Sequence, residues 1–125
     1  MKRKLKNIQM EQMVNSLRPL LSRKDEIGYY AARNFRIMSD SLTEYYDIKN
    51  NLILKYGEPD LDENGNQKGS TSINVNSTKF DEFVKELSPF CEIEHEIDIM
   101  VARYDDIVGK LTGEEILAID WMLED

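Results

Sequence analysis

An α+β fold is what this sequence predicts, and three observations predict it. Apolar residues recur at helical spacing through residues 8–56 and again in 80–87 and 113–123. Cys91 to Ile99 instead alternates apolar and charged residues with the period of two that a half-buried strand requires. Between these regions, residues 59–72 are polar and rich in Gly, Asn and Asp, the composition of turns. The expected architecture is an N-terminal helical pair with one long helix, then a small antiparallel or mixed sheet with two shorter helices. At 125 residues the chain supports one core, so one domain is expected. Its parts are helical residues 1–57, a polar loop and short strand at 58–77, and a helix–strand–helix part at 78–125.

Taken in order, Ile8, Met13, Val14, Leu17, Leu20 and Leu21 form one apolar stripe on a helix over about 8–21. Pro19 kinks or closes that helix. Ser22, with Asp25 three residues on, resembles a capping arrangement for a second helix from about Arg23 to Tyr56, stopped by Gly57 and Pro59. Ile27, Ala31, Met38, Leu42, Tyr45, Ile48, Leu52 and Tyr56 give it a near-heptad stripe. Unbroken, such a helix extends ~50 Å, whereas a compact domain of this size is roughly 36 Å across. It must then project, bend or be covered by another chain. The alternative is a break near Ser39-Asp40-Ser41 and two ordinary helices.

Pro59 to Ser72 reads as a loop or hairpin turn, and Ser72 to Asn76 as a short strand. Thr78, with Asp81, is expected to cap a helix from Lys79 to about Leu87, ended by Ser88-Pro89. In the strand from Cys91 to Ile99, Cys91, Ile93, His95, Ile97 and Ile99 face one way and Glu92, Glu94, Glu96 and Asp98 the other. Residues 72–76 and 91–99 are expected to form the sheet. Thr112-Gly113-Glu114-Glu115 is a capping box that opens a last helix, Gly113 to Leu123.

Charge is divided unevenly along the chain. Residues 1–36 hold nine Lys and Arg against three Asp and Glu, while residues 37–125 hold seven against twenty-one. Such asymmetry bears on partners rather than on fold, and it permits head-to-tail self-association. The longest apolar run, Ile116 to Ile119, is far too short to span a bilayer, so no membrane role is expected. No apolar signal core follows the basic start, which does not indicate secretion. One cysteine, Cys91, excludes an internal disulfide and suits a reducing cytosol.

Five constellations are candidates for chemistry. Asp60, Asp62, Asn64 and Gly65 match the first half of a calcium loop, but Thr71 stands where the bidentate Glu is required, which favours a simple Asx-type turn. Cys91 and His95 supply only two of the four ligands zinc needs, and lie ~13 Å apart on a strand, too far for a nucleophilic pair. No metal or other cofactor is expected. The stripe Glu92, Glu94, Glu96, Asp98 is a solvated sheet face, or a surface that meets a basic partner or mimics nucleic-acid phosphates. Tyr29, Arg33 and Arg36 share a helix face suited to stacking and phosphate contacts, although the acidity of the whole chain argues against nucleic acid. Finally, Ile116 to Leu123 is apolar on nearly every side; Trp121 and Met122 would either pack in the core or anchor a partner.

Three segments in a particular order carry a resemblance. They are Leu52-Ile53-Leu54-Lys55-Tyr56-Gly57-Glu58 followed by Asp62-Glu63-Asn64-Gly65-Asn66, then Phe80 to Leu87 leading into Glu92-Ile93-Glu94, then Leu111-Thr112 through Ala118-Ile119-Asp120-Trp121-Met122-Leu123-Glu124. Their succession resembles a family of small proteins encoded by tailed bacteriophages and prophages, described as being of unknown function. The resemblance covers most of residues 25–125 and brings no active site with it. It implies a phage setting, in the host cytoplasm or the virion. The expected role is therefore a non-enzymatic structural or assembly protein, oligomeric or bound to other phage proteins. The alternative is an acidic inhibitor of a host defence protein that uses the carboxylate stripe.

Overall fold

The computed structural model describes residues 1–125 and has the expected α+β character. Its elements are β1 (Lys2–Lys6), α1 (Asn7–Leu17), α2 (Glu26–Ser41), α3 (Thr43–Tyr56), β2 (Glu58–Leu61), β3 (Gln67–Ser72), α4 (Phe80–Cys91), β4 (Glu94–Asp98), β5 (Ala102–Arg103), α5 (Tyr104–Ile107), α6 (Gly113–Ala118) and β6 (Leu123–Glu124). Three two-stranded sheets result: β1 antiparallel to β4, β2 antiparallel to β3, and β5 parallel to β6. The chain divides into two compact units. One joins Met1–Leu42 to Glu94–Asp125, and the other is Thr43–Ile93.

The first unit holds the main core. Met10, Val14 and Leu17 recur on one face of α1 and are buried. Pro19 tightens the chain into a 3-10 turn over Arg18–Leu20, so the α-helix ends at Leu17 rather than at residue 21. The side chain of Asp25, not Ser22, caps α2 by accepting from the Gly28 N–H at 3.3 Å. Ile27, Ala31, Asn34 and Met38 then form its buried face. Leu17, Leu20, Ile27, Ala31, Ala102, Ile107, Ile119, Met122 and Leu123 make one apolar cluster.

Within this cluster a single polar side chain does the work of a strand. Asn34 is completely buried; its Nδ2 donates to the Met100 carbonyl at 2.8 Å, and its Oδ1 accepts from the Met100 N–H at 2.7 Å. Both backbone groups of Met100, in the link between β4 and β5, are thereby satisfied.

Several expectations are corrected. Of the two readings of residues 23–56, the broken one holds: α2 ends at Ser41, where the Leu42 N–H reaches the Met38 and Ser39 carbonyls, and α3 starts afresh at Thr43. Residues 73–76 are not a strand; the pairing partner of β2 is β3, one segment earlier. The last helix is short. The Thr112–Glu115 capping box forms as expected, with the Thr112 hydroxyl accepting from the Glu115 N–H at 3.1 Å and the Glu115 carboxylate from the Thr112 N–H at 3.0 Å. After Ala118, however, the chain passes through a 3-10 turn into β6. That path buries Ile119, Met122 and Leu123 in the first unit's core.

In the second unit, α3 and α4 pack antiparallel: Tyr45, near the start of α3, has its hydroxyl 3.6 Å from Cys91 Sγ, while Lys55 and Tyr56 at its end reach Glu86. Ser77 Oγ, not Thr78, accepts from the Lys79 N–H ahead of α4. Pro89 lies inside the last turns of α4 rather than ending it. The β2–β3 turn is closed by Asp62, whose Oδ1 accepts from the Asn64 and Asn66 N–H groups at 2.9 Å each. Gly65 there has φ of 80°, a left-handed conformation that a side chain would strain. Gly57 permits the turn out of α3, because a Cβ on it would lie 2.6 Å from the Ser72 carbonyl oxygen.

Candidate functional site

The acidic strand is the first place to look, and its charge is already answered. β1 lies against β4 in the register Lys2 opposite Asp98, Lys4 opposite Glu96 and Lys6 opposite Glu94. Strand alternation puts these six side chains on one face, and it sends Arg3, Leu5, His95 and Ile97 to the other. Leu5 and Ile97 are buried, and His95 Nε2 meets Asn7 Oδ1 at 2.9 Å. The exposed face is thus a ladder of alternating sign rather than a carboxylate stripe. Glu92 does not belong to it, since it sits in the turn after α4, and Cys91 ends that helix. The expected shared strand face of Cys91 and His95 is therefore corrected.

The same pairing disposes of the overall charge split. The basic residues 1–36 fold into one unit with residues 94–125, which carry two Lys and Arg against ten Asp and Glu. Arg33 and Arg36 are exposed on α2 beside Tyr29, as the helical spacing required. The Arg18 guanidinium instead covers the Phe35 ring, 5.2 Å from its centroid.

The terminal segment is turned inward. Met122 is buried in the core, the first of the two places its segment allowed, and is not available as a partner anchor. Trp121 is half-buried and packs on the same cluster; its backbone carbonyl accepts from the Arg3 guanidinium. The Tyr104 hydroxyl donates to Asp120 in this region, and that carboxylate raises the phenol's pKa.

The half calcium loop is occupied by its own hydrogen bonds. Asp60 Oδ2 accepts from the Ser70 and Ser72 hydroxyls at 2.8 and 2.9 Å, which hold its pKa below the usual range. Asp62 is committed to the turn as described, and Asn64 is exposed at its tip, contributing its backbone N–H. Beside the hairpin lies an open polar cavity of about 620 Å³ whose lining includes Tyr56, Glu58, Asp60, Asn74, Ser77 and Thr78.

A second concavity, apolar and about 470 Å³, runs between α3 and α4. Ile48, Leu52, Pro89 and Phe90 line it, with Lys55, Lys85 and Glu86 at its edge. Glu86 is fixed by the Tyr56 hydroxyl, which donates at 2.7 Å, and then by Lys55 at 3.1 Å; both hold its carboxyl below the usual range. Tyr56 is raised in turn, because the carboxylate favours its protonated hydroxyl. Sequence reasoning missed this groove because it ended α4 at Leu87. Carrying the Phe83–Leu87 stripe on to Phe90 would have extended α4 far enough to supply one of its two walls. Comparison with known families, curated proteins and solved structures finds no match. No helix is long and apolar enough to cross a membrane.

Proposed function

We propose that this chain is a non-enzymatic structural or assembly protein of a tailed phage or prophage, working through protein–protein contacts in the host cytoplasm or the virion. One observation carries the reading: the second unit is under-covered. Of nineteen buried hydrophobic residues in the chain, only Tyr45, Phe83 and Leu87 belong to Thr43–Ile93. Fifty-one residues ordered around three buried side chains leave Ile48, Leu52 and Phe90 half-exposed along one groove. Apolar surface of that kind marks a contact site. The phosphate-mimic alternative draws less support, because each carboxylate of β4 faces a lysine of β1.

The test is fractionation of phage particles made from a genome carrying a tagged copy of the gene. Co-sedimentation of the tagged protein with particles or assembly intermediates, lost on Leu52→Glu, is the expected result. Normal particle yield after deletion of the gene, with the tagged protein recovered only in the free fraction, would refute the proposal.

A further inference from the structure

We infer that the polar cavity beside the β2–β3 hairpin binds a neutral saccharide, a ligand whose hydroxyl groups each donate and accept hydrogen bonds. At about 620 Å³ it has the volume of a small-molecule site, roughly 300–1,000 Å³. Its lining falls within residues 56–61 and 72–78, so it stands apart from the α3–α4 groove on which the assembly reading rests.

Two features select that chemistry. The first is a set of polar side chains that are held in place and still have bonds to make. Asp60 is fixed at Oδ2 by the Ser70 and Ser72 hydroxyls, which leaves Oδ1 free to accept. Asn74 Oδ1 accepts from the Asn76 N–H at 2.9 Å, so its Nδ2 keeps both protons for a ligand. Ser77 Oγ accepts from the Lys79 N–H at 3.2 Å and retains its own proton to donate. The Ser77 N–H on the Asn74 carbonyl and the Phe80 N–H on the Ser77 carbonyl close the turns that carry these two. Glu58 and Thr78 also line the cavity; both are exposed, and their side chains make no bond within the chain. Pro59 and Leu61, the latter 57% exposed, offer an apolar edge to the C–H face of a sugar ring.

The second is what the lining excludes. Two carboxylates line the cavity and no Lys or Arg does, so an anion such as phosphate is repelled. No group of three His, Cys, Asp or Glu is placed to hold a metal ion. The aromatic ring of the lining, Tyr56, already faces the Lys55 ammonium 4.9 Å from its centroid, so a second cation there is repelled. A neutral ligand with adjacent hydroxyls satisfies the carboxylate acceptors and the amide and hydroxyl donors together.

The experiment is titration of the whole isotope-labelled chain with glucose, galactose, N-acetylglucosamine and chitobiose, followed through the backbone amide signals by NMR. The expected result is that at least one of them moves the signals of Glu58, Asn74, Ser77 and Thr78. Saturation should give a Kd on the order of 1 mM, the range of a few solvent-exposed hydrogen bonds. Glu58→Ala should weaken that binding about tenfold and Thr78→Ala about threefold, because the first removes a charged acceptor and the second a neutral hydroxyl. Neither side chain has a partner in the chain, so both variants should keep the wild-type spectrum elsewhere. Signals that stay in place with every sugar up to about 100 mM overturn the inference. Binding that neither variant weakens overturns it as well, and so does a response to spermidine or inorganic phosphate at lower concentration than to any sugar. The particle fractionation tests the assembly reading separately from all of these outcomes.

Discussion

Replacing Asn34 by alanine tests how the first unit is held together. The substitution removes both hydrogen bonds to Met100, at 2.8 and 2.7 Å, and puts nothing polar in their place. A buried donor or acceptor left without a partner costs about 1–3 kcal/mol. Met100 is half-buried, so water recovers part of the loss. The sum for its two groups is then about 2–4 kcal/mol, which lowers Tm by roughly 6–15 °C for a chain of this size. Trp121 packs on the cluster that holds Met122, whose sulfur lies 3.6 Å from Asn34 Nδ2, so its emission during urea titration follows the unit concerned. Asn34→Asp sharpens the test. A carboxylate can still accept from the Met100 N–H but has nothing to donate to the Met100 carbonyl, and burial disfavours its charge. Its folded pKa is therefore raised above the ~3.9 of an unfolded aspartate. With that sign the folded state binds more protons, so the variant is weakest at pH 7 and regains stability as pH falls through the raised pKa. A loss below about 0.5 kcal/mol for Asn34→Ala, or an Asn34→Asp variant whose deficit does not shrink on acidification, would refute the argument.

Two further outcomes follow from the first unit. Leu5 is the apolar residue that seats β1, at 5% exposure, so Leu5→Ala should cost about 2–4 kcal/mol in the same titration, and a neutral result would mean β1 is dispensable. Asp25 is lowered to about 2 by the Arg23 guanidinium and then by the Gly28 N–H. Its carboxyl should titrate by NMR near that value, and Arg23→Gln should move it up towards the ordinary range. Because the folded pKa is depressed, the stabilisation from this group is present above about pH 4 and is lost as pH falls towards 2. A carboxyl that titrates at its ordinary value in the wild type would contradict the pairing.

What could be read from the sequence was what neighbouring residues decide among themselves. The Thr112–Glu115 capping box spans four residues and closed as expected, and the stripe through Ile27, Ala31 and Met38 marked the buried side of α2. β1 was invisible because Lys-Arg-Lys-Leu-Lys has one apolar residue, and only a strand some 90 residues away makes it extend. Pro89 misled for a related reason. It forfeits one hydrogen bond late in α4, yet Leu87 inside the unit and the Cys91 contact with Tyr45 carry the helix past it. The candidate sites fared alike. Helical spacing and strand alternation put Arg33, Arg36 and the β4 carboxylates on outer faces, but only the register showed that lysines stand across from Glu94, Glu96 and Asp98. The groove depends on two helices being adjacent, which no single segment states.

The pairing of β1 with β4 also sets a clock. Lys6 and its partner Glu94 are separated by the whole of α1 to α4, so the strand made first is completed by one of the last. At about 5–20 residues per second of synthesis, β1 waits roughly 5–20 s for its partner. During that interval its lysines have no carboxylate ladder beside them, and Leu5 has no Ile97. The segment Thr43–Ile93 is continuous and meets no such delay, so the second unit is complete on the growing chain before the first. Its groove is therefore formed on the growing chain while β1 still lacks its partner.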